Sequence, residues 1–434
     1  MANTLVDMFR MKDIRKKVLI TLGLLCVTRL GAFLPIPGIN PGAVLNYYSS
    51  NSNSFTDYLN FFSGGAFANF SIFMLGVMPY ISVQIIIQLL MLVVPSLKKL
   101  AQDPQGSKKI QQYTRYGTII VCIIQSIAAI MYASSIPGAL AISTGAFIPV
   151  AIISITAGTM LEIWLGEKIT QFGIGNGISL LIFAGIIARI PNALYSMIKG
   201  VSAGTINPVS LIIVVIMYFF VVALVIYEEQ GQRKIPVQYA RRVVGRKMYG
   251  AQSTFIPFKI NPSGVIPVIF ASMLLSLPLQ LGYNSNVGWL RAVANFLNPQ
   301  RAPYLVIYTL LIIGFAFFYT QVSLNPVEMA KNIRDNGGSI PGVRNEKMEE
   351  YLTKVLNRIV LPGSLFLAFI ALIPTLVQLA FKLPSDVAML FGGTSLIIMV
   401  GVDLETMRQL DGLMKMHHHD GFVSLSKKRK TKKI

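Results

Sequence analysis

The 434-residue chain is short of most of what a water-soluble enzyme displays. Charged residues make up 13% of it, about half the share usual in soluble domains. A single aqueous globule is excluded. Cysteine occurs only as Cys26 and Cys122, each inside an apolar run, so neither a disulfide framework nor a thiolate metal site is expected. Both read as small apolar side chains. Histidine occurs only as His417, His418 and His419, on a basic tail that reads as a solvated stretch rather than a metal site. No histidine is left in the apolar runs for acid–base chemistry. The chain also lacks a G-x-x-x-x-G-K-S/T loop, so energy from nucleotide hydrolysis must come from elsewhere.

What is there is apolar: 53% of the residues are hydrophobic, gathered in runs of about 20, the length of a bilayer-crossing helix. Ten spans are expected, at 18–34, 73–94, 116–134, 148–166, 178–198, 209–227, 263–281, 303–323, 359–379 and 386–406. Alternation from a cytoplasmic start then places 32 Lys and Arg inside and five toward the outer side, counting Arg189 of the fifth span and leaving Arg29 of the first unassigned. That bias puts both termini in the cytoplasm. It also explains the net charge of +20 without nucleic acid, since such loops face anionic lipid and cytosolic partners. Residues 1–28 imitate a signal peptide, but no small-x-small cleavage site follows Arg29. Retention as a first span is expected.

Several stretches depart from a plain bundle. Between Phe55 and Val94 the chain carries one charge, Asp57, and a single helix of that length would rise about 60 Å, twice the hydrocarbon thickness. Ser63-Gly64-Gly65 and Gly76 with Pro79 must break it. The expectation is a short half-helix over about 59–70, either lying on the outer membrane surface or re-entering to close a cavity, since lipid cannot satisfy its loose backbone groups. In the loop 228–260, alternating apolar and basic residues in IPVQYARRVVGRKMYGAQST suggest a hairpin. The loop 324–358 carries a Gly/Pro turn and then an amphipathic helix that runs into the ninth span. FGIGNG (172–177) reads as a flexible lead-in to the fifth helix. Glu162, Asp403 and Glu405 are expected near cytoplasmic helix ends, so no Asp, Glu, Lys or His is expected near the middle of a span, where ion-coupled transporters keep an ionisable group.

FLPIPGI (33–39), MPYISVQIIIQLL (78–90), QYTRYGT (112–118), GIGNGISLLIFAGI (173–186), RKIPVQYARR (233–242), GVIPVIFAS (264–272), IPGVR (340–344) and FGGTSLIIMV (391–400) together resemble the SecY family of protein-translocase channels. The resemblance runs from the first span to the tenth. It implies an all-α polytopic membrane protein with ten transmembrane helices in two inverted five-helix halves, 1–200 and 201–434, around a central pore. It implies a plug at about 59–70, with Phe61, Phe62, Ser63, Gly64, Gly65, Ala66, Phe67 and Ala68 at its heart, small enough to leave its funnel easily. The family's pore ring falls on Ile81, Ile85, Ile182, Ile186, Ile269 and Ile398; branched aliphatic side chains gate by dewetting and offer a moving chain no hydrogen bonds. Spacing alone would leave these isoleucines as packing or lipid-facing residues.

The family's lateral gate falls on Gln84 and Gln88 in the second span and Ser272 and Ser276 in the seventh. Gln84 departs from the family's pattern, in which a smaller residue is commoner there. Arg241 and Arg242 in the first loop and Arg344 at the tip of the second are the implied docking residues for the motor ATPase SecA or the ribosome. SecE and SecG are the implied small subunits, and preproteins with signal sequences the substrates. The location implied is the bacterial cytoplasmic (inner) membrane. No cofactor, metal or catalytic residue is implied, and no direct reading of nucleic acid. The main alternative is a secondary transporter for a small solute. An intramembrane enzyme would need a nucleophile with its base, or a metal cluster, within the spans.

Overall fold

The computed structural model describes residues 11–50, 60, 63–204, 207–239, 242–244, 247–249, 253–283, 288–298, 301–381 and 393–431. Helices stand at each expected span: α1 (Lys12–Gly31), α3 (Met78–Val93), α5 (Pro104–Ser134), α6 (Thr144–Phe172), α7 (Gly177–Ser202), α8 (Pro208–Gln230), α9 (Ile266–Tyr283), α11 (Ala302–Ser323), α13 (Met348–Phe381) and α14 (Gly393–Thr431). Shorter helices α2 (Pro41–Ser50), α4 (Pro95–Gln102), α10 (Gly288–Phe296) and α12 (Pro326–Asp335) connect them. Among the described residues six helices are long and apolar enough to cross a bilayer, or seven if α3 and α4, bent by 106° at their junction, form one broken span. Helix starts follow local chemistry. Asn207 and Asn325 each accept the N–H two residues on, and a proline follows each of them at the first helical position, where its missing N–H costs nothing.

Residues Met1–Ser196 and Ile398–Ile434 form one compact unit, and Met197–Ile397 the other. The division expected at 200/201 leaves the last helix with the second half, whereas from Ile398 onward it groups with the first. Ile14, Ile174, Leu410 and Met414 form a shared apolar cluster that joins the starts of α1 and α7 to α14. In the first unit a larger core gathers Ile36, Ile39, Phe67, Phe70, Met74, Ile130, Phe147 and Ile155.

In the second unit the two long loops form one folded element. Strands β1 (Gln232–Tyr239) and β4 (Ser253–Lys259) pair antiparallel, with Ile235 opposite Ile256. At the far end β2 (Arg242–Val244) pairs with β3 (Lys247–Tyr249). Strand β5 (Gly338–Ser339), from the other loop, adds to the free edge of β1 through Gln238 and Tyr239. Ile235, Val237 and Phe258 from the sheet pack on Ile333 of α12 and on Met348, Leu352 and Leu356 of α13. Burial of these side chains, at about 25 cal/mol per Å² of apolar surface, holds the loops together. Helix α8 is the contrast: Val214, Val221 and Val225 are buried, while Ile212, Ile216, Phe219 and Phe220 are exposed. A helix that is apolar all round with so narrow a buried stripe suits a hydrocarbon solvent.

Candidate functional site

The stretch between the first two spans folds back into the first unit. Its expected half-helix is replaced, over residues 63–70, by successive tight turns that continue to 77, so that α3 starts at Met78 rather than at 73. The cause is backbone handedness: Gly64, Gly65 and Gly76 have φ of 64°, 95° and 59°, and Phe70 has 46°, none of them compatible with a continuing right-handed helix. Asn60 organises the turns. Its Oδ1 accepts from Ala68 N–H at 2.9 Å, its carbonyl accepts from Gly65 N–H and Ser63 Oγ–H, and its Nδ2 donates to Tyr48 Oη. Ser63 Oγ accepts from Phe67 N–H at 3.0 Å. Phe61 and Phe62 lie outside the described residues.

Glycines let this segment sit close. A Cβ on Gly64 would lie 2.7 Å from Gly185 Cα of α7 and 2.5 Å from a guanidinium nitrogen of Arg29. Gly158 of α6 abuts the Ile72 carbonyl, and Gly31 of α1 abuts the Phe73 ring. Three helices thus present glycine to one run of turns. The far end is clamped by FLPIPGI, where Ile36 N–H donates to Phe70 O and Ile72 N–H to Leu34 O. The segment is also less loosely held than expected, because Ala66, Phe67 and Ala68 are buried and the Phe67 ring lies 5.6 Å from that of Tyr132.

Arg29 donates Nη1–H to Gly64 O at 3.2 Å. Glu162, expected near a helix end, is the tenth residue before the end of α6 and is 7% exposed, about 15 Å inside by helix rise. The two charges face each other across α1 and α6. Ile174 N–H donates to Thr21 Oγ1 at the corner the helices share; eight residues up α1 and twelve back along the chain into α6 reach similar heights at about 1.5 Å each. The expectation that Glu162 lies near a helix end is therefore corrected: the 29-residue α6 runs on past the expected span to Phe172.

FGIGNG is no flexible lead-in. Its backbone is consumed by Ile174 N–H to Thr21 Oγ1, Gly175 N–H to Gln409 Oε1 at 2.9 Å and Gly177 N–H to Thr170 Oγ1 at 2.8 Å. Gly175 has φ of 83° and Gly177 abuts the Gly166 carbonyl. The run is a rigid three-helix corner.

The other expected residues fall as follows. Ile81 and Ile85 are partly buried on α3, Ile182 and Ile186 are buried on α7, and Ile398 on α14 is 2% exposed. All five belong to the first unit, and Ile186 follows the glycine against which the turns rest. Ile269, partly buried on α9, belongs to the second unit. Gln84 is exposed and Gln88 half-buried on α3. Ser272 is buried and donates its hydroxyl to Ile269 O at 2.9 Å, while Ser276 falls within α9. Arg344 is exposed on the turn after β5, beside Gly342 with φ of 81°. Arg242 opens β2, and Arg241 lies outside the described residues. Asn60, Arg29, Thr21 and Glu162 were missed as site residues. In the sequence the asparagine and the two charges stood out in their apolar stretches, and Thr21 carried no signal.

A family model described as SecY matches residues 71–407. The protein translocase subunit SecY of Borreliella burgdorferi is 44% identical over 420 residues, covering 96% of each chain. That of Escherichia coli is 41% identical over 417 residues, covering 94% of this chain and 93% of the relative. A solved structure described as a protein conducting channel superposes with a TM-score of 0.64 at 21% identity, covering 91% of both chains. With the glycine-seated turns and the ordered motifs, these likenesses leave one conclusion: the chain belongs to the SecY family.

Proposed function

We propose that the chain is the channel subunit of a protein translocase, passing unfolded secretory polypeptides across the cytoplasmic membrane and releasing apolar segments sideways into lipid. Both termini face the cytoplasm, by the distribution of basic residues. The chain does no covalent chemistry; the motor SecA and the ribosome supply the driving force. They dock on the element built from the two long loops, where Arg344 is exposed on a firm turn. Arg242, which opens β2, and Arg241 take part, and SecE and SecG are the small subunits. Ile81, Ile85, Ile182, Ile186, Ile269 and Ile398 form the constriction, and the seam runs between Gln84 and Gln88 on one side and Ser272 and Ser276 on the other.

The observation that carries this reading is the run of turns at 63–77, seated on glycines of α1, α6 and α7. A segment that neither crosses the bilayer nor leaves the protein is what a channel needs as a stopper, and membership of the SecY family favours that reading over a solute transporter. Removing 61–68 should leave a complex that assembles with SecE and melts lower, since Phe67 leaves a packed core at a cost of about 3–5 kcal/mol. Its resting ion conductance in planar bilayers should rise. Conductance at the parent level would sink the plug, and failure to co-purify a small subunit would favour the solute carrier.

A further inference from the structure

The guanidinium of Arg29 has two acceptors within its neighbourhood and uses one. It donates to Gly64 O, and it packs so tightly there that a Cβ on Gly64 would lie 2.5 Å and 2.8 Å from its two terminal nitrogens. Its Nε is buried and has no hydrogen-bond partner. On α6, Glu162 Oε2 is likewise buried and without a partner. The two side chains feel each other's charge but stand beyond ion-pair distance.

A carbonyl is a weaker partner for a guanidinium than a carboxylate, because charge-assisted pairing is stronger when both groups are charged. Geometry decides the present choice: with the turns seated, Gly64 O fills the position in front of Nη1. Once the segment departs, a buried guanidinium left without an acceptor would be strongly unfavourable. Glu162 holds a free oxygen to receive it.

We propose that Arg29 is a two-position latch, bonded to the Gly64 carbonyl while the segment is seated and closing an ion pair with Glu162 when it leaves. Glu162 is thereby a positioning residue for the open form, and the buried pair lowers the cost of opening. The inference rests on the plug reading above and adds to it the device that lets the plug go.

The test is a cycle between Glu162 and the segment, on complexes purified with their small subunits. Four proteins are compared: the parent, Glu162→Gln, the 61–68 deletion, and both changes together. In the parent background Glu162→Gln removes a carboxylate charge to which Arg29 is not hydrogen-bonded, so melting temperature should change little. In the deletion background it removes the charge Arg29 has paired with and leaves only a neutral amide oxygen, a weaker acceptor for a guanidinium, so melting temperature should fall clearly further. Failure of the double variant to assemble, where both single variants assemble, is the same result in extreme form. In the parent background Glu162→Gln should also make signal-triggered opening rarer, by roughly tenfold for the exchange of a charge-assisted pair for a bond to a neutral amide.

An equal fall in melting temperature in both backgrounds would mark Glu162 as merely structural and overturn the latch. Unchanged opening frequency would overturn it too. The deletion alone separates the two readings: if it leaves resting conductance unchanged, the plug reading fails, and if conductance rises but the coupling is absent, only the latch fails.

Discussion

Replacing Gly158 by alanine probes the seat of the turns most directly. A Cβ at this position of α6 would overlap the Ile72 carbonyl oxygen and lie 2.8 Å from its carbonyl carbon. The obstacle is backbone, and it cannot swing aside as a side chain would. Ile72 N–H is bonded to Leu34 O at 3.0 Å, so the turn can retreat from α6 only by straining that bridge. Overpacking of this kind costs about 1–3 kcal/mol. Alanine favours the helix over glycine by about 1 kcal/mol, but α6 is helical whether or not the turns are seated, so this preference cancels and the penalty on the seated form stays at about 1–3 kcal/mol. At about 1.4 kcal/mol per tenfold, resting ion conductance of the reconstituted complex should rise by about fivefold to a hundredfold. Gly23→Ala on α1, where nothing lies within 4 Å of the new Cβ, is the control and should leave conductance at the parent level. Conductance is measured in planar bilayers at matched incorporation, beside a melting curve. A fall in melting temperature without a rise in conductance would show that the turns are packed but do not seal. Equal conductance of the two variants would refute the reasoning outright.

Ile398→Asn places an amide in a buried position (2% exposed), at a cost of roughly 1–3 kcal/mol, and should raise resting leak and relax the demand for a strong signal sequence. Ile397→Asn, 0% exposed and about 100° further around the helix, should lower the melting temperature without raising leak, so identical behaviour of the pair removes Ile398 from the constriction. Thr21→Val takes away the acceptor of a buried N–H at Ile174 and should destabilise by about 1–3 kcal/mol, whereas Thr21→Ser should sit close to the parent; equal melting of both would show that the corner does not depend on that bond. Arg344→Glu reverses a charge on an exposed turn, so SecA-dependent transport into vesicles should drop while the melting curve stays in place, and undiminished transport would count against docking there.

Hydropathy by itself marked where the long apolar helices stand, because transfer into hydrocarbon is summed over about 20 consecutive residues and needs no distant partner. Alternation marked the hairpin of β1 and β4 for the same local reason, and the ordered motifs marked the family. Tertiary structure decided what lies between residues far apart in the chain. Arg29 meets Gly64 across 35 positions, Thr21 meets Ile174 across 153, and Gly175 meets Gln409 across 234. The pairing of Tyr239 with Gly338 turns two loops into one element, though neither loop's pattern contains it. The turns at 63–77 show the limit most clearly. Ser63, Gly64 and Gly65 signalled a break, but its form depended on Asn60 accepting from Ala68 and on glycines of three helices arriving at one place. Glu162 was misplaced for a related reason: a helix in protein surroundings runs past its apolar window, and whether a charge inside it is tolerated depends on the neighbour it faces.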